Sequence, residues 1–223
     1  WWIIVRELGA LYGRHAGHGA QALPPAQAYS AWAIAEAARP ASERQRDEAF
    51  WVGRFADGTP VLDLPTDHPR PARRGFASDR VDHLLDADLT TALRRLAGSR
   101  GSSLFAALLA GFSRLLGRLA GQDSVVVGIP AAGQASSGHA RLVGHCVNTL
   151  PLRFDLGEDD SFDTALRAAQ DVLLDALEHQ HCTLGTMLRR LPVARDPGRM
   201  PLVSVLFNIE QEQKDAAAAF PGL

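Results

Sequence analysis

Ser124-Val125-Val126-Val127-Gly128-Ile129-Pro130 is a run of apolar residues, most of them β-branched, with no alternation to polar ones. A strand of that composition is buried on both faces. On its N-terminal side, Leu104, Phe105, Leu108, Leu109, Phe112, Leu115 and Leu119 recur at helical spacing. Ser102 is expected to cap that helix, and Gly121 to end it in a left-handed turn. On its C-terminal side, Gly133 to Gly138 reads as a polar loop, and Val147 to Phe154 alternates as a strand does. Helix, buried strand, loop and strand in this order place the chain in the α/β class.

Further out, Ser161 opens an amphipathic helix through Phe162, Leu166, Ala169, Leu173 and Leu177. A short helix spans about Thr183 to Leu191. Pro201 to Ile209 reads as a last strand with Val203, Val205, Phe207 and Ile209 on one face. Before the Val run, a helix is expected from about Asp88 to Gly98, with Leu89, Leu93 and Leu96 inward, and a short strand at Val81 to Leu85. Residues 57–79, with Asp57-Gly58-Thr59-Pro60 and Leu64-Pro65-Thr66-Asp67-His68-Pro69-Arg70-Pro71, hold too much proline for a helix or central strand. They form an extended connector over a surface and a boundary between lobes. Three helices precede it. One covers residues 1–15, with Trp1, Ile4, Leu8, Leu11 and Tyr12 as its buried face, and Gly17-His18-Gly19 breaks it. The second opens at Pro24-Pro25 and carries Tyr29, Trp32 and Ala33. The third starts at a Ser42/Gln45 capping box and carries Phe50, Trp51 and Phe55.

The bulk figures exclude several classes. A net charge of −2 leaves no basic footprint for nucleic acid. No apolar run reaches the length of a membrane span. Two cysteines, Cys146 and Cys182, make no disulfide framework, which points to a reducing, cytoplasmic setting. Both ends lack structural punctuation and read as truncations.

Chemistry is sparse. Neither a G-x-S-x-G elbow nor a Walker loop occurs. His179-Gln180-His181-Cys182 gathers potential metal ligands, but no second pair completes a site. A polar helix terminus, with the histidines favouring the dipole, is the stronger reading, so no metal is expected. None of the eight histidines has an obvious carboxylate partner in the sequence. In Gly144-His145-Cys146-Val147-Asn148, adjacent strand residues face opposite ways. A Cys-His dyad is therefore disfavoured against a buried cysteine beside a strand-edge histidine.

Several segments together resemble one family. Leu142-Val143-Gly144-His145-Cys146-Val147-Asn148-Thr149-Leu150-Pro151-Leu152-Arg153 is similar to the I/V-G-x-F-V-N-T-L-x-x-R motif of nonribosomal peptide synthetase condensation domains. Phe50-Trp51 with Leu62 to Pro71 resembles their Y-W…L-x-L-P-T-D-x-P-R-P connector. Ser103 to Phe112, Gly121 to Pro130, His179-Gln180, and Arg195-Asp196 through Met200-Pro201-Leu202 and Phe207-Asn208 resemble further motifs, in family order. The sequence departs from the pattern at His145-Cys146, at Gln180 to Gly185 and at Tyr29 to Trp32.

The resemblance implies a chloramphenicol acetyltransferase-like, two-lobed α/β sandwich. Residues 1–56 would end the N-terminal lobe, 57–79 connect, and 80–223 form an incomplete C-terminal lobe. It implies amide bond formation between a carrier-bound acyl or peptidyl thioester and a carrier-bound aminoacyl amine. The partners would be upstream and downstream peptidyl carrier proteins and an adjacent adenylation domain. Phosphopantetheine of the carriers would hold the substrates, with no cofactor bound directly. The H-H-x-x-x-D-G motif would lie before Trp1, leaving no catalytic residue in this chain. Asn148, His145 and Gly144 would line the substrate tunnel. The Asn148 amide can donate to a thioester carbonyl or accept from an amine, or it can simply tie its strand to a neighbouring loop. A non-catalytic docking domain and a stand-alone acyltransferase of the same fold are the rival readings.

Overall fold

The computed structural model describes residues 2–18, 22–210 and 220. Its elements are α1 (Trp2–His15), α2 (Tyr29–Ala37), α3 (Ala41–Arg54), α4 (Ala87–Ser99), α5 (Leu104–Ala120), β1 (Ser124–Ala132), α6 (Gly133–Ser136), β2 (Val147–Asp155), α7 (Phe162–Glu178) and α8 (Leu184–Arg190). Two compact units result. The first comprises Trp1–Ala41, Ala132–Val147 and Ile209–Leu223, and the second Ser42–Ala131 and Asn148–Asn208.

The second unit is built around β1 and β2, which pair in a two-stranded sheet. Val125, Val126, Val127 and Ile129 are all buried, as their uninterrupted apolar run requires. α5 packs on α7 and on α4. Trp51, Phe55, Leu109, Leu150, Leu152, Leu166, Met187 and Val203 join one core. Each such side chain contributes about 1.5–3 kcal/mol by leaving water.

Helix ends follow local chemistry. Asp86, Ser103, Ser161 and Thr183 cap α4, α5, α7 and α8 by accepting the N–H of Leu89, Ala106, Thr164 and Thr186. Each cap contributes about 1 kcal/mol. Gly121 ends α5 at φ 63, ψ 38, the left-handed region that favours glycine.

Several expectations are corrected. Ser103, not Ser102, caps α5, because the Ser102 hydroxyl donates to Gln170 Oε1 at 2.8 Å. The buried stripe of α5 runs through Ala106, Ala107, Leu109, Ala110 and Leu116, while Leu115 and Leu119 are exposed. Small side chains let α5 lie close to its neighbours, a signal that hydropathy spacing alone does not carry. Leu89 is also exposed. α3 begins at Ala41, directly after Pro40, so Ser42 sits inside the first turn and no capping box forms. α2 begins at Tyr29 rather than at Pro24-Pro25; a residue before proline is held away from helical angles. Residues 133–136 form a short helix within the expected polar loop.

Two expected strands do not form. Residues 81–85 are extended and solvent-exposed, with Val81 and Leu84 both at 92%. They have no ladder partner among the described residues. The 201–209 segment makes one parallel bridge, Leu206 to Gly128, in which Gly128 N–H donates to Val205 O and Phe207 N–H to Gly128 O. Gly128 permits it, since a side chain there would meet Val203 and Leu206.

The connector begins as a surface clasp. Leu62 is buried, the Gln122 amide donates to Val61 O and accepts from Asp63 N–H, and Arg199 donates to Leu62 O and Asp63. From Pro65 onward it is exposed.

In the first unit, α1 buries only Gly9 and Gly13. Trp2, Ile4, Leu8 and Leu11 are 40–55% exposed. The expected apolar face is therefore uncovered, and such a patch favours association. Tyr12 meets Phe220 ring to ring at 5.9 Å. Trp1 and Gly19 lie outside the described residues.

Candidate functional site

Asn148 sits at the start of β2, half-buried. Its Nδ2 donates to the carbonyls of Gln180 and Cys182, both at 2.8 Å, and its Oδ1 accepts from Leu184 N–H at 3.1 Å. An amide has two N–H donors and two oxygen lone pairs. Both donors are spent on backbone, so Asn148 cannot also donate to a carbonyl of a substrate. One lone pair on Oδ1 remains. The side chain thus ties β2 to the 179–183 turn and satisfies the first orphan N–H of α8.

Gly144 and His145 belong to the other unit, in the loop before β2. A side chain on Gly144 would collide with the Tyr29 ring, so the glycine admits that aromatic contact. The Tyr29 hydroxyl donates to His145 O at 3.2 Å. His145 is exposed, and its imidazole has no hydrogen-bond partner among the described residues. Cys146 beside it is buried, and burial pushes its thiol pKa up. The buried cysteine and exposed histidine agree with the reading that set the Cys-His dyad aside.

A carboxylate–histidine pair lies where the sequence showed none. His179 Nδ1 is 2.9 Å from Asp47 Oδ1, and the Asp47 side chain is 1% exposed. The His179 ring stacks on Phe50 at 4.1 Å, and Trp51 Nε1 donates to His179 O at 2.9 Å. Asp47 Oδ2 is buried without a partner. The missed signal was positional. Asp47 and Trp51 share one stripe of α3, and Phe55, four residues on, continues it into the turn that follows; all three are buried. A carboxylate on an apolar stripe requires a partner from elsewhere in the chain.

Two motif arginines act as clasps within the second unit. Arg153 donates to Asp57, Asp155 and Ser124 Oγ, joining β2 to the turn that opens the connector. These bonds hold the Asp57 carboxyl below its usual pKa. Arg199 does the same for Asp63 at 2.6 Å.

Cys182 is buried in the turn that Asn148 grips. Burial first, then the Glu48 and Asp47 carboxylates, push its thiol from 9.0 up to about 11. That shift cuts the thiolate fraction about a hundredfold. Iodoacetamide at pH 7.5 is expected to label Cys182 far more slowly in the folded chain than in urea, as read by peptide mass spectrometry. Because the folded state holds this proton more tightly, its stabilising contribution is intact below pH 9.0 and is lost as pH rises through about 11. Equal labelling rates would refute the burial account.

No group of three or more His, Cys, Asp or Glu converges to hold a metal among the described residues. No single described helix is long and apolar enough to cross a membrane.

A family model described as the condensation domain matches residues 1–220. Tyrocidine synthase 2 of Brevibacillus parabrevis is 36% identical over 172 residues, covering 77% of this chain and 5% of that protein. Tyrocidine synthase 3 of the same organism is 36% identical over 208 residues, covering 93% of the chain and 3% of that protein. The chain therefore spans a small fraction of the curated relatives it matches. Among solved structures, a four-domain nonribosomal peptide synthetase bound to AMP and glycine superposes with TM-score 0.83 at 21% identity, over 96% of this chain and 16% of that one. The first condensation domain of the calcium-dependent antibiotic synthetase, in complex with a substrate analogue, gives 0.67 at 26% identity, over 86% and 42%. The α/β, chloramphenicol acetyltransferase-like fold class is common to them.

Proposed function

The chain belongs to the condensation domain family, and from that premise we propose that it serves its parent in forming the amide bond between a carrier-bound acyl or peptidyl thioester and a carrier-bound aminoacyl amine. The observation that carries this reading is the Gly144–Arg153 motif on β2 and the loop before it, whose Asn148 grips the 179–183 turn. Family membership over residues 1–220 supports it. The partners are donor and acceptor carrier proteins and a neighbouring adenylation domain, with the phosphopantetheine arm as part of the substrate.

The residues here have positioning roles. Asn148 fixes the turn between α7 and α8 and keeps one Oδ1 lone pair for an amine N–H. Gly144 lets Tyr29 pack against the motif loop. His145, exposed with a free imidazole, contacts the donor acyl group or its arm. The base that takes the proton of the attacking amine belongs to the histidine motif expected before Trp1. Residues 1–223 alone should therefore form no amide.

The test is condensation by the parent domain with both carriers loaded, followed by mass spectrometry of the product. Product with the parent and none with residues 1–223 supports the reading. Absence of product with an intact, folded parent would refute it. In the same assay His145→Phe is expected to change donor preference more than total turnover; an unchanged donor profile would remove His145 from the donor path.

A docking role is the second reading. The departures at Gln180 to Gly185 favour it, and the same fold occurs in the teicoplanin X-domain, solved in complex with OxyB, with TM-score 0.77. A degraded histidine motif in the parent would decide for docking.

A further inference from the structure

In the second unit, between α5, α7 and the turn after β2, lies a cavity of about 230 Å³ that the reaction proposed above does not use. Its apolar wall comes from Phe154, Leu156 and Val172. Leu156 can lie against α5 only because Gly117 has no side chain to displace it.

The same cavity is lined by two guanidinium groups, Arg114 and Arg54. Arg114 Nη1 is buried and has no hydrogen-bond partner. Arg54 spends Nη2 on the neutral carbonyl of Arg153 at 2.7 Å. Neither arginine forms an ion pair among the described residues. Of the two carboxylates on the same lining, Asp155 accepts from Arg153 and Ser124, and Asp160 accepts from Gly157 N–H and pairs with no arginine among the described residues. A guanidinium does not shed its proton, so burial cannot neutralise it as it would a lysine. Its charge is matched by an anion or left costly. Water answers the Arg114 N–H but leaves the apolar wall unmatched, and an ordered water needs about two to four polar partners.

The geometry points to a binding site for a small monocarboxylate, its carboxylate on Arg114 and a short alkyl tail against Phe154, Leu156 and Val172. A carboxylate and a guanidinium match in shape as well as charge, and a concave apolar pocket with one fixed polar anchor is the ordinary form of a small-molecule site. The site is independent of carrier-bound chemistry, so it stands or falls apart from the amide-forming role.

The test titrates the 223-residue chain by calorimetry with three probes. Hexanoate has tail and charge, 1-hexanol the tail alone, and inorganic phosphate the charge alone. Hexanoate is expected to bind saturably at about 1 mM and to raise Tm with concentration, the other two at least about tenfold more weakly. Arg114→Met keeps the stem and removes the charge. It should fold, as shown by unchanged circular dichroism, and lose hexanoate binding at least about tenfold. Ala168→Leu, at the mouth of the cavity, should lose binding with the charge intact. No saturable hexanoate binding by the wild-type chain would overturn the proposal and leave the cavity to water. So would hexanol or phosphate matching hexanoate, or an Arg114→Met chain that binds hexanoate unchanged.

Discussion

His179→Ala is expected to destabilise the chain by about 3–5 kcal/mol in urea unfolding at neutral pH. The substitution leaves Asp47, a carboxylate with a 1% exposed side chain, without the imidazole at 2.9 Å. It also removes the ring stacked on Phe50. Arg46 is no substitute, because its nitrogens stand at 3.3–3.4 Å from Asp47 and its side chain is 55% exposed. The diagnostic comparison is a double-mutant cycle. Asp47→Leu in the His179→Ala background should recover at least about 1 kcal/mol, because the orphaned charge is gone. Strictly additive losses would show that the pair is not coupled and that His179 matters only for packing.

Asn148→Ala should cost about 2–4 kcal/mol, since it strands two carbonyls and the Leu184 N–H in a half-buried site. Asn148→Asp should be at least as damaging, although it is nearly isosteric. It turns the donor that faces Gln180 O and Cys182 O into a third oxygen. In the parent domain both variants should lose turnover together with Tm. A lost rate at an unchanged Tm would instead assign Asn148 to the substrate through its spare lone pair.

The second unit was largely legible from the sequence where one local rule decided the outcome. The Val125–Ile129 run, the helix opened at Ser161, the short helix after Thr183 and the left-handed Gly121 all appear as read. Reading failed where the partner lies far along the chain. Asp47 and His179 are 132 residues apart, and no local pattern joins them. It failed again where periodicity was mistaken for burial. Leu8 and Leu11 have helical spacing, yet that side of α1 faces solvent. Val81 to Leu85 was expected as a short strand, but a strand needs a ladder, and none of the described residues supplies one. For the site, the motif around Asn148 was visible. The saturation of its amide was not, because that depends on the backbone of residues 180–184.

The clasps on α3 and the connector bear on how the chain emerges from a ribosome. Trp51 is held by a carbonyl 128 residues later, Asp57 by an arginine 96 residues later, and Leu62 by an arginine 137 residues later. During vectorial synthesis the first of each pair appears long before the second. The Asp47–Trp51–Phe55 face must therefore stay unpaired until His179 has cleared the exit tunnel, and Leu62 until Arg199 has. The Val-rich β1 emerges in that interval, ahead of its partner β2. An arrest that left residues up to about 140 outside the tunnel would expose both at once, which makes that stage of elongation the one most dependent on a chaperone.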